Sequence, residues 1–408
     1  MHILRLAILL ILFFDSIQAQ VFFEFKKNSS HVYQYTWGDE FDGTSYNQEK
    51  WMSGYPWARH LYCSLDANYY SDGADLLLKD GLINITARRE KVKARAIPYE
   101  SNDFMVPCDK KPSIKNLMDF DYQSGLLYSK EKFTYGHFEI RFKTAVDAGL
   151  WPAFWLFGAD NQEIDIFEMG GGRKSDFHVD VHCKSGCKNY PVFAGLFRKN
   201  WGDYISSNAD WSKDFHIIGI TWEKEGITWY LDQKPVAWWK GSFHDPLALI
   251  ANLAVTDKAG SIGGKISSDA IFPASFTIDY IRVWQEVEMG SSRTTVVATK
   301  KLESPEIKTP ALLKKKSRPE YKRSKLKNAS ERVFVSMPDT RTLQINREGP
   351  LSDNIQIQVK NSEGNKLILE KQIRFKSENI SLNNLPPGKY LVIIKNNQLE
   401  QSILIEVR

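Results

Sequence analysis

Hydrophobic and polar positions alternate in short segments along most of the chain, the period expected for β-strands. The alternating segments include residues 81–87, 136–143, 215–222, 227–231 and 276–284. Turn pairs such as Asp72-Gly73 separate these segments, and few stretches have a helical period. Many short strands divided by turns predict an all-β fold, either a sandwich or a barrel.

The composition changes along the chain and predicts four parts. At the N-terminus a short basic segment is followed by an apolar run. This order predicts a signal peptide, with a retained membrane anchor as the alternative. The segment from residue 290 to about residue 330 has no aromatic residue except Tyr321, is rich in lysine and arginine and carries three prolines. This composition predicts a basic, extended linker, with a tether to an anionic surface or an acidic polysaccharide as the alternative. Strand patterns then return and predict a small β-sandwich. The predicted parts are a signal peptide at 1–19, a large β domain at 20–288, a linker at 289–331 and a β-sandwich at 332–408.

Length, charge and cysteine content narrow the class of protein. The chain has 408 residues, 42% of them hydrophobic, and a formal net charge of +5 that is concentrated in the linker. This distribution does not favour nucleic-acid binding, and no later segment is long and apolar enough to span a membrane. In an exported protein, four cysteines predict two disulfides, Cys183 with Cys187 and Cys63 with Cys108. We therefore expect a secreted, extracellular or cell-surface monomer.

Three carboxylates, Glu163, Asp165 and Glu168, lie within six residues of an otherwise apolar segment. On a regular strand Glu163 and Asp165 share one face, whereas Glu168 falls on the other. One extra residue, a β-bulge around Ile166-Phe167, returns Glu168 to the face of the other two acids. Three acids on one face repel one another, which costs stability unless the protein uses them.

Glycoside hydrolysis uses such a group, because it needs two carboxyl groups that flank the scissile bond. A retaining mechanism places them about 5–5.5 Å apart, which two residues on one strand face can reach. A nearby like charge raises the pKa of one carboxyl, as a general acid at neutral pH requires. A solvated acidic strand or a calcium site is the alternative.

The flanking segments carry side chains that suit a sugar cleft. Trp151 and Trp155 lie just before the acids, and flat aromatic rings pack well against sugar faces, although core packing explains some of these rings. Downstream, His178, Asp180 and His182 share one strand face, which favours a polar cleft strand. A metal site is the competing interpretation of that strand.

Residues 163–168 resemble the E-x-D-x-x-E signature of glycoside hydrolase family 16 in its β-bulge form. The resemblance extends from about residue 35 to residue 285, through segments 37–43, 135–141 and 279–285. It implies a β-jelly roll of two curved antiparallel sheets with a catalytic cleft on the concave face. It also implies Glu163 as nucleophile, Asp165 as its helper and Glu168 as acid/base.

The same resemblance implies further site residues and no cofactor for catalysis. It places His182 and His178 in the cleft, with Trp151 and Trp155 near it. It also implies a structural calcium ion held by Glu40, the Gly43 carbonyl and Asp279, oxygen ligands of the kind that calcium prefers. Residues 379–394 resemble the sorting domain of type IX secretion.

These features predict a secreted retaining endo-β-glycanase that acts on a polysaccharide, with β-1,3-glucan as the first choice of substrate. The alternatives are a marine galactan (agar, porphyran or carrageenan), a transglycosylase and a non-catalytic jelly-roll lectin. Trp57, Arg59 and His60 lie in a segment that we interpret as a loop binding a sulfate or a sugar hydroxyl, with surface exposure without a function as the alternative. A sulfated substrate requires a basic cleft, whereas a neutral glucan suits an aromatic and acidic one.

Overall fold

The structure is a computed structural model. It describes residues 21–26, 29–60, 66–96, 117–182, 200–207, 209–257, 259, 261–287, 295–296, 331–339, 341–348, 354–396 and 400–407. The predicted signal peptide, most of the predicted linker and all four cysteines lie outside the described residues, and the disulfides stay a prediction.

The described chain is almost entirely β-structure, with one short 3₁₀ helix at Ala159–Asn161. The strands are β1 Val21–Lys26, β2 Ser29–Asp39, β3 Trp51–Met52, β4 Asn68–Tyr70, β5 Leu76–Lys79, β6 Leu82–Ala87, β7 Val92–Arg95, β8 Leu117–Phe120, β9 Tyr122–Ser124, β10 Leu126–Phe133, β11 Gly136–Thr144, β12 Leu150–Phe157, β13 Glu163–Glu168, β14 Asp176–His182, β15 Asn200–Ser206, β16 His216–Trp222, β17 Ile227–Leu231, β18 Lys234–Trp239, β19 Leu247–Val255, β20 Ala274–Glu286, β21 Thr295–Val296, β22 Glu331–Asp339, β23 Thr342–Glu348, β24 Ile355–Asn361, β25 Leu367–Ile373, β26 Ser377–Ser381, β27 Gly388–Lys395 and β28 Glu400–Val407. The described residues include no helix that is long and apolar enough to cross a membrane.

One compact unit contains Thr36–Glu286 and consists of two packed sheets. Seven antiparallel strands in the order β15-β14-β13-β12-β19-β10-β3 form the first sheet, and β18-β17-β16-β11-β20, with β6 and β5, belong to the second. A hydrophobic core lies between them, where the rings of Phe142 on β11 and Phe167 on β13 stack at 4.5 Å. The prediction of an all-β sandwich is confirmed.

Strand β13 carries the β-bulge that the spacing of its acids predicts. Across β12, Trp155 pairs with Asp165 and Phe154 with Phe167, so that Ile166 has no partner on that strand. Ile166 and Phe167 are both fully buried in the core, because the extra residue turns two successive apolar side chains inward. The bulge therefore shifts the side-chain alternation by one position before Glu168.

A second compact unit contains the C-terminal strands and also the residues up to Tyr35. Its sheets include β21-β28-β27-β24-β25 and β1-β22-β23-β26, and its separate core includes Val333, Ile357 and Val392. The small second β-sandwich is thus confirmed as a fold. The sequence assigns residues 20–35 to the large domain, whereas strand β1 pairs with β22, a long-range contact that local patterns do not show.

Candidate active site

The three acids of β13 lie on the outer face of the seven-stranded sheet, the face turned away from the core. Across β14 they pair with three polar residues. The partners of Glu163, Asp165 and Glu168 are, in that order, His182, Asp180 and His178. Residues paired across antiparallel strands point to the same side, so the structure brings all six side chains to one surface.

Each histidine on this surface lies within hydrogen-bonding distance of one of the three acids. Ligand atoms of Glu163, Asp165 and His182 all lie within 4.8 Å of one another, and His182 Nε2 is 3.0 Å from Asp165 Oδ2. His178 Nδ1 lies 3.3 Å from Glu168 Oε2. Each imidazole therefore has a carboxylate partner on β13, which explains both histidines without a shared metal ion.

Burial and mutual repulsion change the proton affinity of the acids. Burial raises the pKa of Glu163 well above its ordinary value, and the neighbouring charge of Asp165 raises it further. The pKa of Asp165 is raised by burial and by the charges of Glu168 and Asp180. The shared cause is that two adjacent carboxylates in a low-dielectric site do not both ionise readily.

Trp151 contacts the third acid directly. Its indole Nε1 donates a hydrogen bond of 3.0 Å to Glu168 Oε1, while His178 lies against the other carboxylate oxygen. A glycine loop makes this approach possible, because a Cβ at Gly263 would lie 3.0 Å from the Trp151 Cβ. The two contacts fix the orientation of the Glu168 side chain.

A second apolar cluster covers the outer face beside the acids. It includes Tyr55, Trp57 and Tyr128, together with Trp155 on β12. Trp155 is only 8% exposed, and its Nε1 donates a hydrogen bond of 2.8 Å to Asn252 Oδ1. Trp155 thus forms part of a packed wall next to Asp165, its pairing partner, and Trp57 stacks on Tyr55 in the same wall.

Arg59 is buried in its own loop, and its role as a substrate contact stays a prediction. Its guanidinium group is buried and donates hydrogen bonds to the Ser53 and Ser71 carbonyls and to Asp72, the last at 2.7 Å. Trp57 is 7% exposed, and its place as a substrate contact stays a prediction. The loop folds back on itself because a buried arginine needs acceptors for its donors.

We expect Arg59→Ala to destabilise the fold and to leave substrate recognition almost unchanged. Without the guanidinium group, the carbonyl groups that it binds lose a hydrogen-bond donor. The free energy of unfolding should therefore fall by about 1–3 kcal/mol. Thermal or denaturant unfolding measures this loss, and KM on the preferred polysaccharide should change by less than about twofold. A large rise of KM at unchanged stability would restore Arg59 as a substrate ligand.

The residues expected to hold calcium do not fit such a site in this structure. Both carboxylate oxygens of Glu40 accept hydrogen bonds from Arg282 at 2.8 Å, and Asp279 is paired with Arg141. Both side-chain ligands are thus already neutralised by arginine, and a calcium ion would have to displace these guanidinium groups. A calcium site at Glu40, Gly43 and Asp279 stays a prediction.

Two residues near the acids come from segments that sequence reasoning did not single out. Asn252 on β19 accepts the Trp155 hydrogen bond, and its amide donates to the Tyr70 hydroxyl at 3.1 Å. Tyr204 on β15 pairs with His178, and the ring centroids are 4.7 Å apart. Local sequence patterns do not single out either residue, because the position of each beside the acids depends on strand pairing across the sheet.

Paired glutamates on one face of a β-sandwich, with an acid and two histidines between and beside them, define a retaining glycosidase. The chain belongs to glycosyl hydrolase family 16. Residues 83–253 match the family model described as "Glycosyl hydrolases family 16". The predicted jelly-roll class and the hydrolysis of O-glycosyl bonds follow from this membership.

Two named proteins are similar to this chain in sequence, and a solved structure is similar to it in fold. A "Beta-glucanase" of Rhodothermus marinus is 30% identical over 285 residues, covering 63% of this chain and 86% of that protein. A "Glucan endo-1,3-beta-glucosidase A1" of Niallia circulans is 25% identical over 285 residues, covering 61% of this chain but only 37% of its relative. The solved structure of an endo-β-1,3-glucanase from Pyrococcus furiosus is 25% identical, with a TM-score of 0.50, and covers 64% of this chain and 97% of that one.

The C-terminal part matches a second family. Residues 337–406 match the model described as "Secretion system C-terminal sorting domain". This agrees with the resemblance to the type IX sorting domain and indicates an extracellular or cell-surface enzyme. The β-sandwich that contains these residues is therefore an export signal with its own core.

Proposed function

We propose that this enzyme is an endo-acting β-1,3-glucanase that hydrolyses a laminarin-like polysaccharide with retention of configuration. The observation that carries the choice of substrate is the character of the outer face. Aromatic, acidic and histidine side chains are prominent among the described residues near the acids, and both histidines are paired with acids. Such a face suits the neutral, hydroxyl-rich rings of a glucan.

The order of the steps follows from the contacts of the two glutamates. Glu168 gives its proton to the glycosidic oxygen while Glu163 attacks the anomeric carbon, so the C–O bond breaks as a glycosyl ester forms. In this proposal Asp165, next to Glu163, keeps its proton and donates a hydrogen bond to the ester oxygen. Glu168, now ionised, takes a proton from water, which displaces Glu163 and restores the starting state.

A sulfated galactan is the weaker alternative. Sulfate recognition requires unpaired cationic donors, usually arginine, at the cleft. Within the part of the chain that the structure describes, the Arg59 guanidinium group already donates hydrogen bonds to the Ser53 carbonyl and to Asp72. The guanidinium group of Arg173 lies 4.1 Å over the ring of Tyr204, where it stacks on that ring. The balance of charge favours the neutral substrate.

The choice is tested on a panel of purified polysaccharides: laminarin, mixed-linkage β-glucan, agarose, porphyran and κ-carrageenan. We expect new reducing ends from laminarin, with a ladder of oligosaccharides early in the reaction because the enzyme is endo-acting. Glu163→Gln is the matched control, since it keeps the side-chain shape. Faster cleavage of κ-carrageenan or porphyran would overturn the proposed substrate, and glucose as the sole product would overturn the endo mode.

Hydrolysis and transglycosylation share the glycosyl-enzyme and differ only in the acceptor. We propose that water is the main acceptor, and product analysis with and without added laminari-oligosaccharides tests this. Longer products that dominate in the presence of the added acceptor would indicate a transglycosylase. We also propose a monomer, because one chain supplies all the acids and histidines of the site, and light scattering measures its mass.

A further inference from the structure

Asp180 lies at the centre of the active face but has no place in the proposed reaction. It occupies the middle of β14 between His178 and His182 and pairs directly with Asp165. Its side chain is buried, with 7% of the residue exposed. A buried carboxylate costs stability unless it is hydrogen-bonded and balanced by charge, so its position calls for a physical reason.

The two carboxylate oxygens of Asp180 have different partners. Oδ1 accepts a hydrogen bond of 2.7 Å from the backbone N–H of Val181, which holds the carboxylate in one orientation. Oδ2 lies 3.6 Å from His182 Nε2, the same nitrogen that is 3.0 Å from Asp165 Oδ2. The imidazole of His182 therefore stands between two carboxylates, close to both.

The neighbouring strand leaves space for this carboxylate. Gly202 on β15 pairs with Asp180, and a Cβ added to it would lie 2.7 Å from the Asp180 carboxyl carbon and 2.8 Å from Oδ2. Such distances are far inside van der Waals contact. A glycine inside a strand often marks the close approach of another group, and here that group is the Asp180 carboxylate.

We propose that Asp180 is a positioning residue of the glycosidase reaction: it holds His182 against Asp165 and keeps a proton within the Asp165–Glu163 pair. It acts through these neighbours and does not touch the sugar. The proposal rests on the hydrolase activity of the family and not on the identity of the polysaccharide. The benefit is a protonated Asp165 that donates a hydrogen bond to one oxygen of the ionised Glu163 carboxylate, while the other Glu163 oxygen attacks the anomeric carbon.

The electrostatic balance around Asp180 agrees with this role. Burial raises its pKa to about 6, and the nearby histidines His182 and His178 limit the rise. Its negative charge in turn raises the pKa of Asp165. The ionisable groups that face Asp180 are the β13 acids Glu163, Asp165 and Glu168, its β14 neighbours His178 and His182, and Tyr204 on β15.

The test compares pH profiles of the full chain and two single variants. Asp180→Asn removes the charge and keeps the shape, so the remaining carboxyls should release their protons more readily. We expect the acid limb of kcat/KM to move to lower pH by roughly half to one unit. We expect kcat to fall about tenfold, because the catalytic groups lose their alignment. KM should change by less than about twofold, because Asp180 does not touch the sugar.

The matched control is Asp203→Asn on β15, which removes an exposed carboxylate whose pairing partner is the core residue Val179. It should leave the pH profile, kcat and KM unchanged. Gly202→Ala should move the acid limb in the same direction as Asp180→Asn, because its methyl group displaces the Asp180 carboxylate. Unfolding midpoints are measured for every variant, to separate these effects from loss of fold.

A double-mutant cycle with His182→Gln tests whether Asp180 acts through His182. Coupled residues give non-additive effects, so Asp180→Asn should reduce kcat much less in the His182→Gln background. A lower unfolding midpoint with an unshifted pH profile and wild-type kcat would overturn the proposal, as would full additivity. All assays use whichever polysaccharide the wild type cuts, so a wrong choice of substrate is recognised separately.

Discussion

Glu163→Gln should reduce kcat/KM by at least about 10⁴-fold, to near background, on the polysaccharide that the wild type cuts. An amide has no negative charge with which to form the glycosyl ester. The side-chain shape is kept, so the unfolding midpoint and oligosaccharide affinity should stay close to the wild-type values. Reducing-end assays and titration calorimetry measure the two properties.

Chemical rescue of Glu163→Ala gives the stereochemical proof of this role. Added azide should attack the anomeric carbon from the emptied side while Glu168 still protonates the leaving oxygen. From a β-glycan the product is then an α-glycosyl azide, with inverted configuration, which NMR identifies. Turnover of Glu163→Gln within about tenfold of wild type would refute the nucleophile assignment, since loss of a nucleophile costs far more.

Glu168→Ala should lower polysaccharide cleavage by about 10²–10⁴-fold, the usual contribution of a general acid/base. An aryl β-glycoside whose phenol leaves without protonation should still react in the first step, because Glu163 is intact. The glycosyl-enzyme then accumulates, and stopped-flow absorbance should show a burst of phenol. The burst is the measurement that separates acid/base loss from a general loss of activity.

Azide should also rescue Glu168→Ala, but with the opposite stereochemical result. Here azide displaces Glu163 from the glycosyl-enzyme, so the product is a β-glycosyl azide with retained configuration. Trp151→Phe serves as the matched control for loss of the carboxylate, since it removes only the hydrogen bond to Glu168 Oε1 and keeps the acid itself. An α-azide from Glu168→Ala would mean that the two roles are exchanged.

The candidate site was largely predictable because its acids lie on one strand. The spacing of Glu163, Asp165 and Glu168 indicates a shared face only if a bulge intervenes, and the register across β12 contains that bulge. Local rules of alternation were therefore enough to place these three side chains. The opposite strand was predictable for the same reason, since His178, Asp180 and His182 alternate along β14.

Predictions stayed open where a side chain has a partner that local sequence patterns do not show. The sequence suggests that Arg59 is an exposed hydrogen-bond donor. In the folded structure its acceptors are the Ser71 carbonyl and the Asp72 carboxylate, which local patterns do not show. Glu40 reads as a calcium ligand, yet its partner Arg282 lies 242 residues away in the chain. Sequence spacing carries no information about which charge a buried group will meet.

The sequence alone determined the strand periods, the bulged acid strand and the separation of the C-terminal sandwich, because these depend on neighbours a few residues apart. The tertiary structure decided which strands pair, that Trp155 is held by Asn252, and that Gly202 makes room for Asp180. Those outcomes depend on burial and on the packing of segments far apart in the chain. The free energy of such contacts depends on three-dimensional surroundings that no local pattern contains.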